Sequence, residues 1–181
     1  MRICSVTDRY ANYLRQHSPH VMDPKVGKRT HSRKYVGVVL EVSGRFYFAP
    51  LSSPKPRDYD SNGNIKQNTS LSIPMIVNGL SGKRLLGTIK LNDMIPVPMS
   101  EIVDYDLSKE SDSAYADLVR DELRFINKHQ EIIRKRARII YQAKIHERLN
   151  LNPKNARWFS AIVPFRFLES LCDSFMSQVA H

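Results

Sequence analysis

A chain of 181 residues is long enough to bury a core of its own and is read as one domain, 1–181; with 41% hydrophobic and 25% charged residues it is not a disordered chain. Twenty-eight Lys and Arg against 18 Asp and Glu leave a formal charge of +10, which favours a polyanionic partner, nucleic acid ahead of an acidic membrane surface. Two distant cysteines, Cys4 and Cys172, make neither a disulfide framework nor a zinc site, and no apolar run approaches the roughly 18–20 residues of a membrane span. The N-terminus lacks the apolar run of a signal peptide, so a reduced, cytoplasmic protein is expected.

Arg2 to Val6 alternates weakly and reads as a first strand. Thr7 and Asp8 then suit a helix start, with Tyr10, Tyr13 and Leu14 at helical spacing, a pattern that by itself means core packing. From His17 to Lys34 the chain is basic and irregular, carrying Lys28 and Arg29 and ending in Arg33-Lys34, and it is read as a loop over a nucleic-acid site. His17, His20 and His31 lie in it without a carboxylate at ligand spacing, so no metal is predicted.

A β-branched run, Tyr35 to Val42, and an aromatic run, Arg45 to Leu51, flank Ser43-Gly44 and predict a β-hairpin. Pro50 cannot donate to a ladder and is expected at a strand end or an edge. The second strand delivers Ser52-Ser53-Pro54-Lys55-Pro56-Arg57, two hydroxyls and two cations on a proline-stiffened turn. That set suits a phosphate; the plainer alternative is a solvated turn.

Arg57 to Asn68 is a polar loop. Ser70 to Val77 is a strand with an edge-type Pro74, Leu85 to Leu91 another, and Met94 to Pro98 a short last one. Short strands, tight turns and no βαβ alternation predict an α+β fold with an antiparallel, partly closed sheet. From Ser113 the period changes. Leu118, Val119, Glu122, Leu123 and Ile126, then Ile132, Ile133, Ile139, Ile140 and Ala143, make a long amphipathic helix, or two with a break near Asn127-Lys128-His129. Arg134, Lys135, Arg136 and Arg138 crowd its second half, where some can follow a phosphate backbone. Asn150 to Asn155 is read as a loop. A final amphipathic helix through Phe165, Leu168, Leu171, Cys172 and Phe175 closes the core, with Trp158 and Phe159 packed on it.

If an RNA were cut without a metal, the ribose 2′-OH would attack the adjacent phosphorus, and positioned donors and cations would be needed around a dianion-like phosphorane. Ser52, Ser53, Lys55 and either Arg33 or Lys34 are of the right kind to stabilise it. The group that handles the protons is left open, because no His lies beside the turn in sequence.

The hairpin with Ala49-Pro50-Leu51-Ser52-Ser53-Pro54-Lys55 resembles the signature of the ToxN/AbiQ family, endoribonuclease toxins of type III toxin–antitoxin systems that also act in abortive phage infection. The resemblance extends to Thr7 to Leu14, Leu86 to Ile89, Met94 to Pro96 and Leu123 to Ile126. It implies a core like that of the Kid/MazF toxins with added helices. It implies metal-independent cleavage of cellular mRNA to 2′,3′-cyclic phosphate and 5′-OH ends, with no cofactor and no membrane partner. It also implies inhibition by an antitoxin RNA of repeated pseudoknots, held with the protein in a closed ring. On this resemblance Ser53, Ser52, Lys55 and Arg33 or Lys34 are the expected catalytic set. Tyr10, Tyr35, Arg57, Lys28, Arg29, Arg120, Arg134, Lys135 and Arg138 are the expected RNA contacts. Ser52 stands where the family has threonine, and Arg120 falls near a family tyrosine. The competing expectation is a non-catalytic nucleic-acid-binding module, which would not need Ser53.

Overall fold

Ser43 and Gly44 both take positive φ, 49° and 75°, the backbone that a two-residue turn between right-twisted strands requires. In the computed structural model, which describes residues 1–21, 33–67, 69–80, 82–147 and 153–179, that turn joins β2 (Tyr35–Val42) to β3 (Arg45–Ser52). Around this hairpin stand β1 (Arg2–Val6), β4 (Ser72–Gly79), β5 (Gly82–Lys90), β6 (Ile95–Pro96) and β7 (Ile102–Asp104). All pair antiparallel, in the order β4-β5-β3-β2-β1-β7, with β6 also on β3. The sheet is open rather than partly closed, because β4 and β7 end it without meeting. Three-residue β7 carries too little periodicity to be seen in the sequence.

The prolines find positions that need no donor. Pro74 lies on end strand β4. Pro50 is inside β3, not at its end. On one side β3 pairs with β6 through Tyr47 and Phe48, then with β5 through Leu51 and Ser52, and Pro50 fills the interval between these partners. Gly37 faces the Phe48 ring so closely that a Cβ there would lie 2.1 Å from it.

Helices cover the sheet. Thr7 caps α1 (Asp8–His17), and the buried Glu101 carboxylate accepts from Thr7 and Arg9. The long helical pattern resolves into α2 (Ser113–Lys128) and α3 (Gln130–Ile145), broken at His129. Pro153 opens α4 (Pro153–Ser160), where a loop was expected through Asn155; proline is favoured in a first helical turn, where the N–H it lacks would have had no intrahelical partner. On α5 (Phe165–Val179), Phe175 packs edge-on to Tyr10 of α1 at 4.9 Å between ring centres. Tyr47 and Tyr141 both donate to Glu169 at 2.7 Å, tying β3, α3 and α5 into one core. No helix of the described residues is long and apolar enough to cross a membrane.

Candidate active site

β3 is buried without a break from Tyr47 to Ser52, and exposure begins where the strand ends. Ser52, 3% exposed, is the last residue of the strand and pairs with Thr88 of β5; its hydroxyl donates to the Ser53 carbonyl at 3.3 Å. Ser53 and Pro54 are exposed. The chain then tightens into a 3₁₀ turn, Pro56–Asp58, in which the Lys55 N–H donates to the Asp58 carboxylate at 2.8 Å and the Asp58 N–H to the Lys55 carbonyl at 2.9 Å. The exposed Ser53 hydroxyl therefore stands between a strand held on both sides and a closed turn that carries Lys55 and Arg57.

Charge gathers behind this turn. Asp93 sits where β5 passes into β6, with Asn92 donating to its carboxylate at 2.8 Å. Burial raises the Asp93 carboxyl to about 6, against the pull of Lys90, Arg33, Arg57 and Lys55. Lys90, half-buried at the end of β5, is pushed below its ordinary value by burial and by Arg57 and Lys55, with Asp58 and Asp93 opposing. Four cations, Lys55 and Arg57 of the turn, Arg33 ahead of β2 and Lys90 at the end of β5, thus act on one carboxyl.

Arg33 and Lys34 part company. The Arg33 guanidinium is 4% exposed and donates to the Leu51 carbonyl at 3.0 Å, so it fixes the end of β3 from within rather than presenting itself to solvent. Lys34 keeps partial exposure. Its ammonium donates to Ser5 at 3.3 Å and lies 4.1 Å from the centre of the Tyr105 ring. Burial lowers its affinity for the proton, and Glu110 opposes this.

Two expected RNA contacts are interior residues. Tyr10 is fully buried and donates to the Pro96 carbonyl at 2.7 Å. Tyr35 is 2% exposed on β2. Neither offers a ring face to a base; core packing, the plain reading of a tyrosine at helical spacing, accounts for Tyr10. Arg57, Arg134, Lys135 and Arg138 are exposed, the last three on α3. Arg120 is exposed and pairs with Asp117 on its own helix. Arg136 turns inward, donating to the Thr69 carbonyl. Lys28, Arg29 and His31 lie outside the described residues, among which no group of three or more His, Cys, Asp or Glu gathers as metal ligands would.

Sequence reasoning missed Lys90 and Asp93. Lys90 had a usable signal: two residues beyond Thr88 on β5, it belongs on the Ser52 side of the sheet once β5 is paired to β3. Asp93 had none, since only tertiary folding brings it to the turn.

Over residues 2–173 the chain matches the model of a protein family described as toxin ToxN of type III toxin–antitoxin systems. The chain belongs to the ToxN toxin family. It is 27% identical over 133 residues to the endoribonuclease ToxN of Pectobacterium atrosepticum, covering 74% of this chain and 75% of that one. It is 28% identical over 150 residues to the endoribonuclease AbiQ of Lactococcus lactis subsp. lactis, covering 82% and 78%. The fold is that of a solved structure described as a bacterial antiviral system regulated by a processed non-coding RNA. There the TM-score is 0.77 at 23% identity, over 94% of this chain and 96% of that one. In this ToxN-family chain the resemblance first seen in the hairpin and serine turn extends to the whole sheet and the helices over it.

Proposed function

We propose that this chain is a type III toxin that cuts cellular mRNA at the Ser52-Ser53 turn by attack of the ribose 2′-OH, without a metal, leaving 2′,3′-cyclic phosphate and 5′-OH ends. Its membership of the ToxN family and its endoribonuclease relatives supply the activity. The observation that carries the site is the exposed Ser53 on a rigid turn backed by Lys55, Arg57, Lys90 and Arg33.

Chemistry follows from that layout. A phosphodiester seated on the turn meets Lys55 and Arg57, whose charge favours binding and offsets the extra negative charge of the phosphorane. The Ser53 hydroxyl donates to a non-bridging oxygen. Arg33, through the Leu51 carbonyl, holds the strand end in register and is a positioning residue. Lys34 faces a different neighbourhood, where its weakened hold on a proton suits it to donate at the edge of the same site.

The inhibitor in this reading is a non-coding antitoxin RNA of repeated pseudoknots, bound in a closed ring of alternating protein and RNA. The exposed cations of α3, Arg134, Lys135 and Arg138, are its contacts, with Arg57 nearer the site. The chain works as one domain, residues 1–181, in the cytoplasm, in phage defence by growth arrest, around a core of the Kid/MazF kind. Expression in a growing bacterium tests this. The parent should arrest growth, Ser53→Ala should not, and co-expressed antitoxin RNA should relieve the arrest. A parent that binds RNA but leaves growth untouched would favour a non-catalytic binding module instead.

A further inference from the structure

Two carboxyls near the serine turn are raised by burial: Asp93, whose charge Lys90, Arg33, Arg57 and Lys55 favour, and Glu122 of α2, on which no cation acts. Glu122 lies in the apolar stripe of that helix, 8% exposed. Gly87 of β5 makes room for it. A Cβ at Gly87 would stand 2.6 Å from the Ser52 carbonyl oxygen, 3.4 Å from Glu122 Oε1 and 3.4 Å from the Met75 methyl. No substitution for glycine fits without displacing the Ser52 backbone. Because the side chain is absent, the carboxyl of α2 and the last peptide of β3 converge over the same bare Cα.

We infer that Glu122 is the proton acceptor of the cleavage site, its carboxylate reaching over Gly87 to the backbone immediately before Ser53. The step balances as follows. The carboxylate takes the 2′-OH proton as the O2′–P bond forms. The P–O5′ bond breaks, the 5′ oxygen leaves and takes a proton from water, and Glu122 returns its own proton to water. This rests on the reading that the chain cleaves RNA at the turn.

The surroundings suit the task. Burial, the one cause acting on it, raises the Glu122 carboxyl to about 7, so that near neutrality both protonation states are populated. At Gly87 the nearest groups are uncharged, the Met75 methyl from β4 and the Ser52 carbonyl from β3, while one residue away on α2 Asp121 pairs with Arg84 of β5 at 2.6 Å. The titratable neighbour that senses Glu122 is Tyr115, two turns earlier on the same helix, itself raised to about 12 by burial, Glu122 and Glu110. Glu110 in turn acts on Lys34, the next charge outward. An isolated carboxylate in an apolar stripe is costly to keep ionised, and no hydrogen bond or ion pair among the described residues repays it.

The test is single-turnover cleavage of a short RNA from pH 5 to 9 by the parent, Glu122→Gln, Glu122→Asp and Ser53→Ala, with thermal melts of each. The parent rate should rise with pH through an ionisation near 7. Glu122→Gln should lower the plateau about 100-fold and erase that ionisation, while Glu122→Asp should keep a displaced ionisation and lose part of the rate. A Glu122→Gln that keeps the parent profile overturns the proposal, and so does one that is slower but still titrates near 7. If Glu122→Gln does not fold, Glu122→Asp decides: a parent-like rate and profile overturns the assignment. A parent that cleaves while Ser53→Ala cleaves equally well rejects the serine turn, a different failure from that of Glu122.

Discussion

Arg33 and Lys34 are consecutive in the chain, yet the Arg33 guanidinium holds the Leu51 carbonyl at 3.0 Å inside the fold while the Lys34 ammonium holds Ser5 at 3.3 Å beside the Tyr105 ring. One braces the strand that carries the serines, and the other remains partly accessible. Their replacements should therefore separate. Arg33→Ala removes a buried charge among Asp93 and its cations and should cost roughly 3 kcal/mol of stability, with cleavage falling as the strand end loosens. Lys34→Ala should melt within about 1 kcal/mol of the parent and lose cleavage. Urea unfolding beside RNA cleavage for both variants makes the comparison. Equal losses of stability would contradict the division of labour.

Tyr10 is placed to pack and not to read RNA. Tyr10→Phe leaves the buried Pro96 carbonyl without its donor and should cost roughly 1–3 kcal/mol, with RNA affinity unchanged. A filter-binding titration that shows weakened RNA binding with an unchanged melt would reverse that placement.

Asp93 gives a stability signature in pH. Its folded carboxyl is raised from 3.8 to about 6 because burial outweighs the four cations. The folded state therefore holds the proton more tightly than the unfolded chain. The stability this contributes is complete below about 4 and is lost as pH rises through about 6. Asp93→Asn does not undergo this loss. Its stability relative to the parent should improve by about 2 kcal/mol between pH 4 and pH 6.5, read from denaturant melts at each pH. A constant difference across that window would mean that Asp93 is not buried as described.

The exposed cations of α3 should act through phosphates alone. Replacing Arg134, Lys135 and Arg138 together by Ala should weaken RNA binding and flatten its salt dependence. With about 0.7 of log–log slope per phosphate on single-stranded RNA, the slope should fall by up to about 2. The melt should barely move, since all three are exposed. An unchanged slope would remove α3 from the RNA surface.

Much of this architecture is legible from residue order because local patterns and the final fold agree at those places. Val and aromatic runs about Ser43-Gly44 declare the hairpin, and the proline-stiffened serines declare a turn at its exit. Legibility fails where a residue's role depends on a distant partner. Pro50 reads in sequence as a strand end or an edge, because the passage of β3 from β6 to β5, which leaves it without a partner on that side, is a fact of the sheet and not of the run. Arg33 and Lys34 could not be told apart until pairing with β3 fixed which way each side chain turns. Asp93 and Lys90 reach the turn only through the β5–β3 ladder. Glu122 was visible as a carboxylate inside an apolar helical stripe, but what it faces, Gly87 and the end of β3, lies 35 and 70 residues earlier in the chain.

The central claim is that Ser53 on its rigid turn is part of the cleaving machinery, and one assay tests it most directly. Purified parent and Ser53→Ala are compared for cleavage rate on a single RNA in excess EDTA, with antitoxin-RNA affinity and a thermal melt beside it. Loss of one donor to the phosphorane should slow cleavage by about 10²–10³, while the melt moves by roughly 0.5 kcal/mol or less and RNA affinity holds, because the hydroxyl is exposed. Cleavage by Ser53→Ala at the parent rate would contradict the account and show the turn to be only a turn.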